Sequence, residues 1–132
     1  LVDTTSYKPS VLLLAGYDVL YAFGRDSYTN EIIEAAGGRS ITDQLEGQAA
    51  TLSDEFVLAE QPELIVGTFG DDFDAGRIVS GHPTWDSVPA VATGNVYSIN
   101  PDLISRPGPR VIEGAQRLAV WIDRFKENRM QP

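Results

Sequence analysis

The sequence has no cysteine, one histidine and one methionine among its 132 residues. Without cysteine there is no disulfide, no thiolate nucleophile and no Cys/His zinc cluster. A cysteine-free chain fits the cytosol and an oxidising compartment equally. Long hydrophobic runs are missing too. None exceeds the length of Val11–Ala15, far short of the roughly 20 apolar residues that span a bilayer. Bases are scarce along most of the chain: residues 1–100 hold 15 acids and 4 bases, whereas 101–132 hold 4 acids and 6 bases, for a formal net charge of −9. Such a body has little to displace phosphate counterions with, so no nucleic-acid partner is expected. The acids serve solubility, or docking to a basic surface.

Nucleotide and nucleophile motifs are absent as well. No Gly-x-Gly-x-x-Gly, phosphate loop or Gly-x-Ser-x-Gly elbow occurs. His82, between Gly81 and Pro83, reads as a turn residue with a surface or structural role. A hydrolase using it with Asp or Ser partners is the competing enzyme reading, and no spacing fixes one. Asp71, Asp72 and Asp74 imitate part of a calcium loop but lack its glycine and terminal glutamate, so no metal site is expected. No catalytic residue and no cofactor are expected either.

What is present is a folded composition with 42% apolar residues. Residues 10–15 read as a buried strand, with a second short strand within 16–24. Ser27 with Glu31 and the Gly37-Gly38 stop predict a helix over 28–36. Leu52 and Val57 form a hydrophobic staple for a helix that Pro62 ends near 61. A strand follows over 63–68, then a weaker helix over 72–79. Trp85 to Val88 before Pro89 reads as an edge strand, and Val96–Ile99 as another. In the last helix Val111, Ala115, Leu118, Ile122 and Phe125 recur at helical spacing. The expected fold class is α/β: a three-layer α/β/α sandwich with a mostly parallel central sheet. One domain is expected over 10–127, with a flexible lead-in over 1–9 and a tail over 128–132.

Tyr17, Tyr21 and Tyr28 could form an aromatic wall, although Tyr21 also fits ordinary packing at a sheet edge. Arg106 is held in the stiff stretch Ser105–Arg110 at the mouth of the last helix. A guanidinium there suits a carboxylate-bearing ligand, or a salt bridge to one of the many acids.

Four segments together resemble a known family. They are Tyr21–Tyr28 with Glu31–Gly38, Leu52–Val66 with Gln61-Pro62-Glu63, Trp85–Val91 with Gly94–Tyr97, and Arg106–Arg110 with its helix. In order and spacing they resemble the C-terminal lobe of the substrate-binding proteins that serve ABC importers of metal chelates. Those chelates are ferric siderophores, haem and cobalamin, and the proteins have two α/β lobes joined by a long rigid helix. The likeness spans roughly residues 10–125. Gln61-Pro62-Glu63 departs from the family's Asn-Pro-Asp, and Thr93 and Asn95 stand where the family usually has a base.

The resemblance implies a non-enzymatic binding role, with the N-terminal lobe upstream. Residues 1–9 would then be the end of the interlobe connection. The ligand-facing rim would comprise Arg25, Tyr28, Phe69, Asp71, Trp85, Ser105 and Arg106. Glu55, with Asp54 close by, would meet an ABC permease. The location would be periplasmic, or extracellular and anchored to the membrane through an upstream segment. A chain starting Leu1-Val2-Asp3 is expected to be a mature, trimmed or excised product. An adaptor domain with the same fold and no chelate is the alternative.

Overall fold

The computed structural model describes residues 7–47, 49–104 and 110–130. Its centre is β1 (Ser10–Gly16), in which Ser10 to Leu14 are all buried. A strand covered on both faces needs apolar residues without alternation, which Val11-Leu12-Leu13-Leu14 supplies. β5 (Leu64–Gly67) pairs parallel to one edge of β1, and β6 (Val96–Ser98) continues parallel beyond it. On the other edge, β3 (Arg39–Ser40) runs parallel to the start of β1 and β2 (Tyr21–Phe23) antiparallel to its end. β4 (Ala49–Thr51) closes that side antiparallel to β2. The sheet order is therefore β4-β2-β1-β5-β6, with β3 beside β1.

Successive strand residues point to opposite faces, and this splits the core in two. Val11, Leu13, Leu64 and Val66 pack with Ile32 and Ile33 of α1 (Thr29–Ala35) and with Leu118, Ile122 and Phe125 of α5 (Arg110–Met130). Leu12, Leu14 and Ile65 pack on the opposite face. Their partners are Val57 of α2 (Asp54–Glu60), Ile78 of α3 (Gly76–Ser80) and Ala90 of α4 (Pro89–Ala92). This is the three-layer α/β/α sandwich, with the stripe of α5 turned inward as its spacing predicts.

Three local expectations differ from the structure. Residues 83–87 form a 3-10 turn and α4 follows, where an edge strand was expected. Pro83 and Pro89 each open a helical turn, where a missing N–H loses no bond. The helix expected over 72–79 starts only at Gly76, because the Asp74 carboxylate accepts the Gly76 N–H at 2.9 Å and ties the chain into a turn. Ser27 is not the N-cap of α1, although its hydroxyl still accepts the Thr29 N–H at 3.3 Å. The two-residue β3 and three-residue β4 are too short to show alternation and escape a reading of the sequence.

Two junctions set the positions of the ends. Tyr7 and the Ser10 hydroxyl both donate to the Glu63 carboxylate, which ties the lead-in to the start of β5. At the opposite end, Gly114 lets α5 lie against Leu103 and Ile104, where any Cβ would collide with the Leu103 carbonyl.

Candidate ligand-binding site

In an open α/β sheet, ligands gather outside the carboxyl ends of the parallel strands. Here β1 delivers Tyr17 to that end and β5 delivers Phe69. Gly67 makes the second placement possible, because Phe69 folds back over it and a Cβ would overlap the ring. Phe73 completes a trio with ring centroids 5.0, 5.2 and 5.1 Å apart in tilted or edge-on contact. The Arg77 guanidinium lies 5.2 Å from the Phe73 centroid and 5.9 Å from that of Tyr17. Its Nη2 donates to the Tyr17 hydroxyl at 3.3 Å.

The residues expected on the rim are distributed over several places. Phe69 is in the aromatic trio. Asp71 is exposed, but its Oδ1 accepts from the Asn100 N–H at 3.2 Å and from Arg117 Nη1 at 2.9 Å. It thus joins the loop after β5 to α5. Arg25 follows the end of β2, and its guanidinium is 3.7 Å from Glu46 in an exposed pair of small energetic weight. Tyr28 is half-buried and lines an apolar groove of about 600 Å³ between α1 and α5, with Ile32, Val111 and Ile112. Ser105 and Arg106 lie outside the described residues.

Trp85 requires a correction. It has 0% exposure and sits in the core beneath the sheet, among Leu14, Val57 and Ile78. Its indole N–H donates to Asp54 Oδ1 at 3.1 Å. Both its ring and its polar atom are consumed inside the domain, so it presents nothing to a ligand.

Asp54, with its side chain 42% exposed, also bonds to the His82 imidazole. The same Oδ1 is 3.0 Å from His82 Nδ1, while His82 Nε2 is 2.9 Å from the Tyr17 carbonyl. The ring thereby bridges the first turn of α2 and the end of β1. The imidazole stacks on Trp85 at 4.2 Å and 10°. Both ring nitrogens are thus engaged by groups of the domain itself. Glu55, next along α2, remains exposed in the helix's first turn, and Ser53 caps that turn by accepting the Phe56 N–H at 3.2 Å.

Sequence reasoning missed Phe73 and Arg77, and took Tyr17 only as a member of an aromatic wall. Phe73 lies in the bend before α3 and Arg77 within α3, so no local period marked the pair. Among the described residues no group of three His, Cys, Asp or Glu side chains could hold a metal. No helix there is long and apolar enough to cross a membrane.

The domain is thus a parallel-centred α/β sandwich with aromatic rings and one guanidinium at its strand ends. The family described as periplasmic binding protein matches residues 2–103, and the chain belongs to it. That family is one of periplasmic solute-binding proteins, a non-catalytic class. The chain is 33% identical over 110 residues to the ABC transporter substrate-binding lipoprotein YvrC of Bacillus subtilis, covering 82% of this chain and 34% of that protein. It is 32% identical over 122 residues to a cobalamin-binding protein of Halobacterium salinarum, covering 89% of this chain and 32% of that one. A solved structure described as a possible iron-binding periplasmic protein from Staphylococcus epidermidis superposes with a TM-score of 0.78 at 23% identity. That match covers 87% of this chain and 45% of the other, and it bears on the fold alone. The chain thus spans about a third of the length of these curated relatives.

Proposed function

We propose that this chain is the C-terminal lobe of the solute-binding component of an ABC importer for a metal chelate of the siderophore, haem or cobalamin kind. The observation that carries the proposal is the rim where Tyr17, Phe69 and Phe73 stand at the carboxyl ends of β1 and β5 with Arg77 laid against them. Aromatic faces suit the covering of a bulky conjugated or hydrophobic ligand, and the cation suits a negative group on it. A second lobe would close the other side of the ligand, so this chain by itself binds weakly. Binding here is positioning without bond-making, and a separate ATPase would drive transport.

Docking to the permease falls to Glu55 in this reading. Asp54 acts through its bonds to His82 and Trp85, holding the first turn of α2 so that the neighbouring carboxylate faces outward. An exposed carboxylate at such a corner steers and orients a basic partner. The working location is outside the cytoplasmic membrane, with any anchor supplied by a segment preceding the lobe.

The test is titration of the chain, alone and joined to an N-terminal lobe of a relative, with ferric haem, cyanocobalamin and ferric hydroxamate siderophores. Saturable binding that tightens when the second lobe is present supports the proposal. Absence of binding to every chelate by the joined protein overturns it and leaves an adaptor domain.

A further inference from the structure

Arg77, like Arg39 and Arg124, is in no ion pair among the described residues, but of these three only Arg77 lines a hollow and lies against aromatic rings. Arg25, Arg110 and Arg117 each sit within ion-pair distance of a carboxylate, at 3.7, 3.6 and 2.9 Å. No carboxylate among the described residues comes as close to Arg77, although the protein has 19 acids and a net charge of −9. Its guanidinium is instead steadied by the Phe73 and Tyr17 rings and by one bond to the Tyr17 hydroxyl. A guanidinium carries five N–H donors in a rigid fork, and that single bond leaves most of the fork open.

The fork borders a hollow of about 250 Å³ lined by Tyr17, Asp18, Arg77, Ser80, Gly81 and His82. The floor is rigid. His82 is bonded at both ring nitrogens and its side chain is only 11% exposed, and the Ser80 hydroxyl donates to the Arg77 carbonyl at 3.2 Å. The hollow adjoins the aromatic trio through Tyr17.

We propose that this hollow is a subsite for a carboxylate group, with Arg77 as the residue that selects for it. A planar fork matches a carboxylate with two parallel hydrogen bonds. Asp18 on the same wall makes the site unsuited to a dianion, so a monoanionic carboxylate fits better than a phosphate. The inference deepens the proposed function by naming a group that the ligand should carry beside its apolar body, and its second test rests on that reading.

The first test needs no chelate. Benzoate, benzamide and phenyl phosphate are titrated into the nitrogen-15-labelled chain while the Arg77 Nε–H and the Tyr17, Ser80 and Gly81 amides are followed by NMR. Benzoate should shift these signals saturably and bind at least about fivefold more tightly than benzamide, as a charge-assisted fork contact in a solvent-open site would give. Arg77→Gln should abolish that preference. Arg77→Lys, which keeps the charge without the fork, should retain a part of it. Equal affinity for benzoate and benzamide, or a preference unchanged in either variant, overturns the subsite. Tighter binding of phenyl phosphate than of benzoate overturns the choice of carboxylate.

The second test compares ferric haem with its dimethyl ester, which has the same body without free carboxylates. A preference for the acid that disappears in Arg77→Gln supports the subsite as part of the cleft. If acid and ester bind alike and Arg77→Gln changes neither, the subsite fails and chelate binding stands. If no chelate binds while benzoate retains its Arg77-dependent shifts, the proposed function fails and the subsite stands.

Discussion

The two faces of the sheet are closed in different ways. On the face of α1 and α5, hydrocarbon does the packing: Ile33, Leu118, Ile122 and Phe125 meet Val11, Leu13 and Val66. The helices leave an apolar groove between them, and Ile112 beside it is 64% exposed. On the opposite face a buried indole, an imidazole and a carboxylate are bonded to one another and to the end of β1. Apolar contact is non-directional and tolerates small sliding, whereas a bonded cluster fixes orientation. The second face therefore holds the end of β1 and the first turn of α2 in a definite geometry, while Asp71 ties the loop after β5 to α5.

Substitutions on the two faces should separate these roles. Trp85→Ala is expected to have the largest effect, about 3–5 kcal/mol of stability by chemical denaturation, because it empties a core site. It also removes a donor from Asp54, so its neighbours' amide signals should move along with the loss of stability. Ile122→Ala on the other face should lower stability by roughly 2–4 kcal/mol and leave the signals of Tyr17, Phe69 and Phe73 unmoved. Equal disturbance of the rim by both variants would break the contrast between the faces.

Smaller effects sharpen the comparison. His82→Ala should reduce stability by about 1–2 kcal/mol through lost bonds and the lost stack on Trp85. Its larger consequence should be displacement of Tyr17, read from aromatic NMR contacts between Tyr17 and Phe69. If the Tyr17–Phe69 contact survives unchanged, the imidazole does not anchor the rim. Gly67→Ala should disorder Phe69 at a stability loss of about 1–3 kcal/mol, as expected for overpacking. Ile112→Ser, at an exposed position, should change stability by no more than about 0.5 kcal/mol.

Much of the scaffold was legible in the residues. Val11-Leu12-Leu13-Leu14 has the continuous apolar pattern of a central strand, and the α5 stripe has the spacing of a helix against a core. Pro62 and Gly37-Gly38 end their helices close to where they should. Elements bounded by such signals are decided within a few neighbouring residues, so a linear reading can find them. The 3-10 turn at Pro83–Ser87 was misread because Trp85 and Val88 are apolar in a strand or in a turn alike, and only contact with Leu14 and Val57 distinguishes them.

The candidate site was legible only in part. Phe69 and Glu55 were named through the family resemblance, but the partners of each side chain could not be. Asp71 meets Arg117 across 46 residues and His82 meets the Tyr17 carbonyl across 65. Contacts at such separations depend on how the sheet is ordered and which face each helix covers, and no local pattern encodes them. By itself the sequence determined an acidic, cysteine-free α/β domain with a buried central strand and an inward-facing last helix, because composition and periodicity are local properties. Tertiary structure decided that Trp85 lies inside, that Asp54 serves His82 and the indole, and that Tyr17, Phe73 and Arg77 converge at the strand ends. These outcomes follow from which distant surfaces the fold brings within a few ångströms of each other.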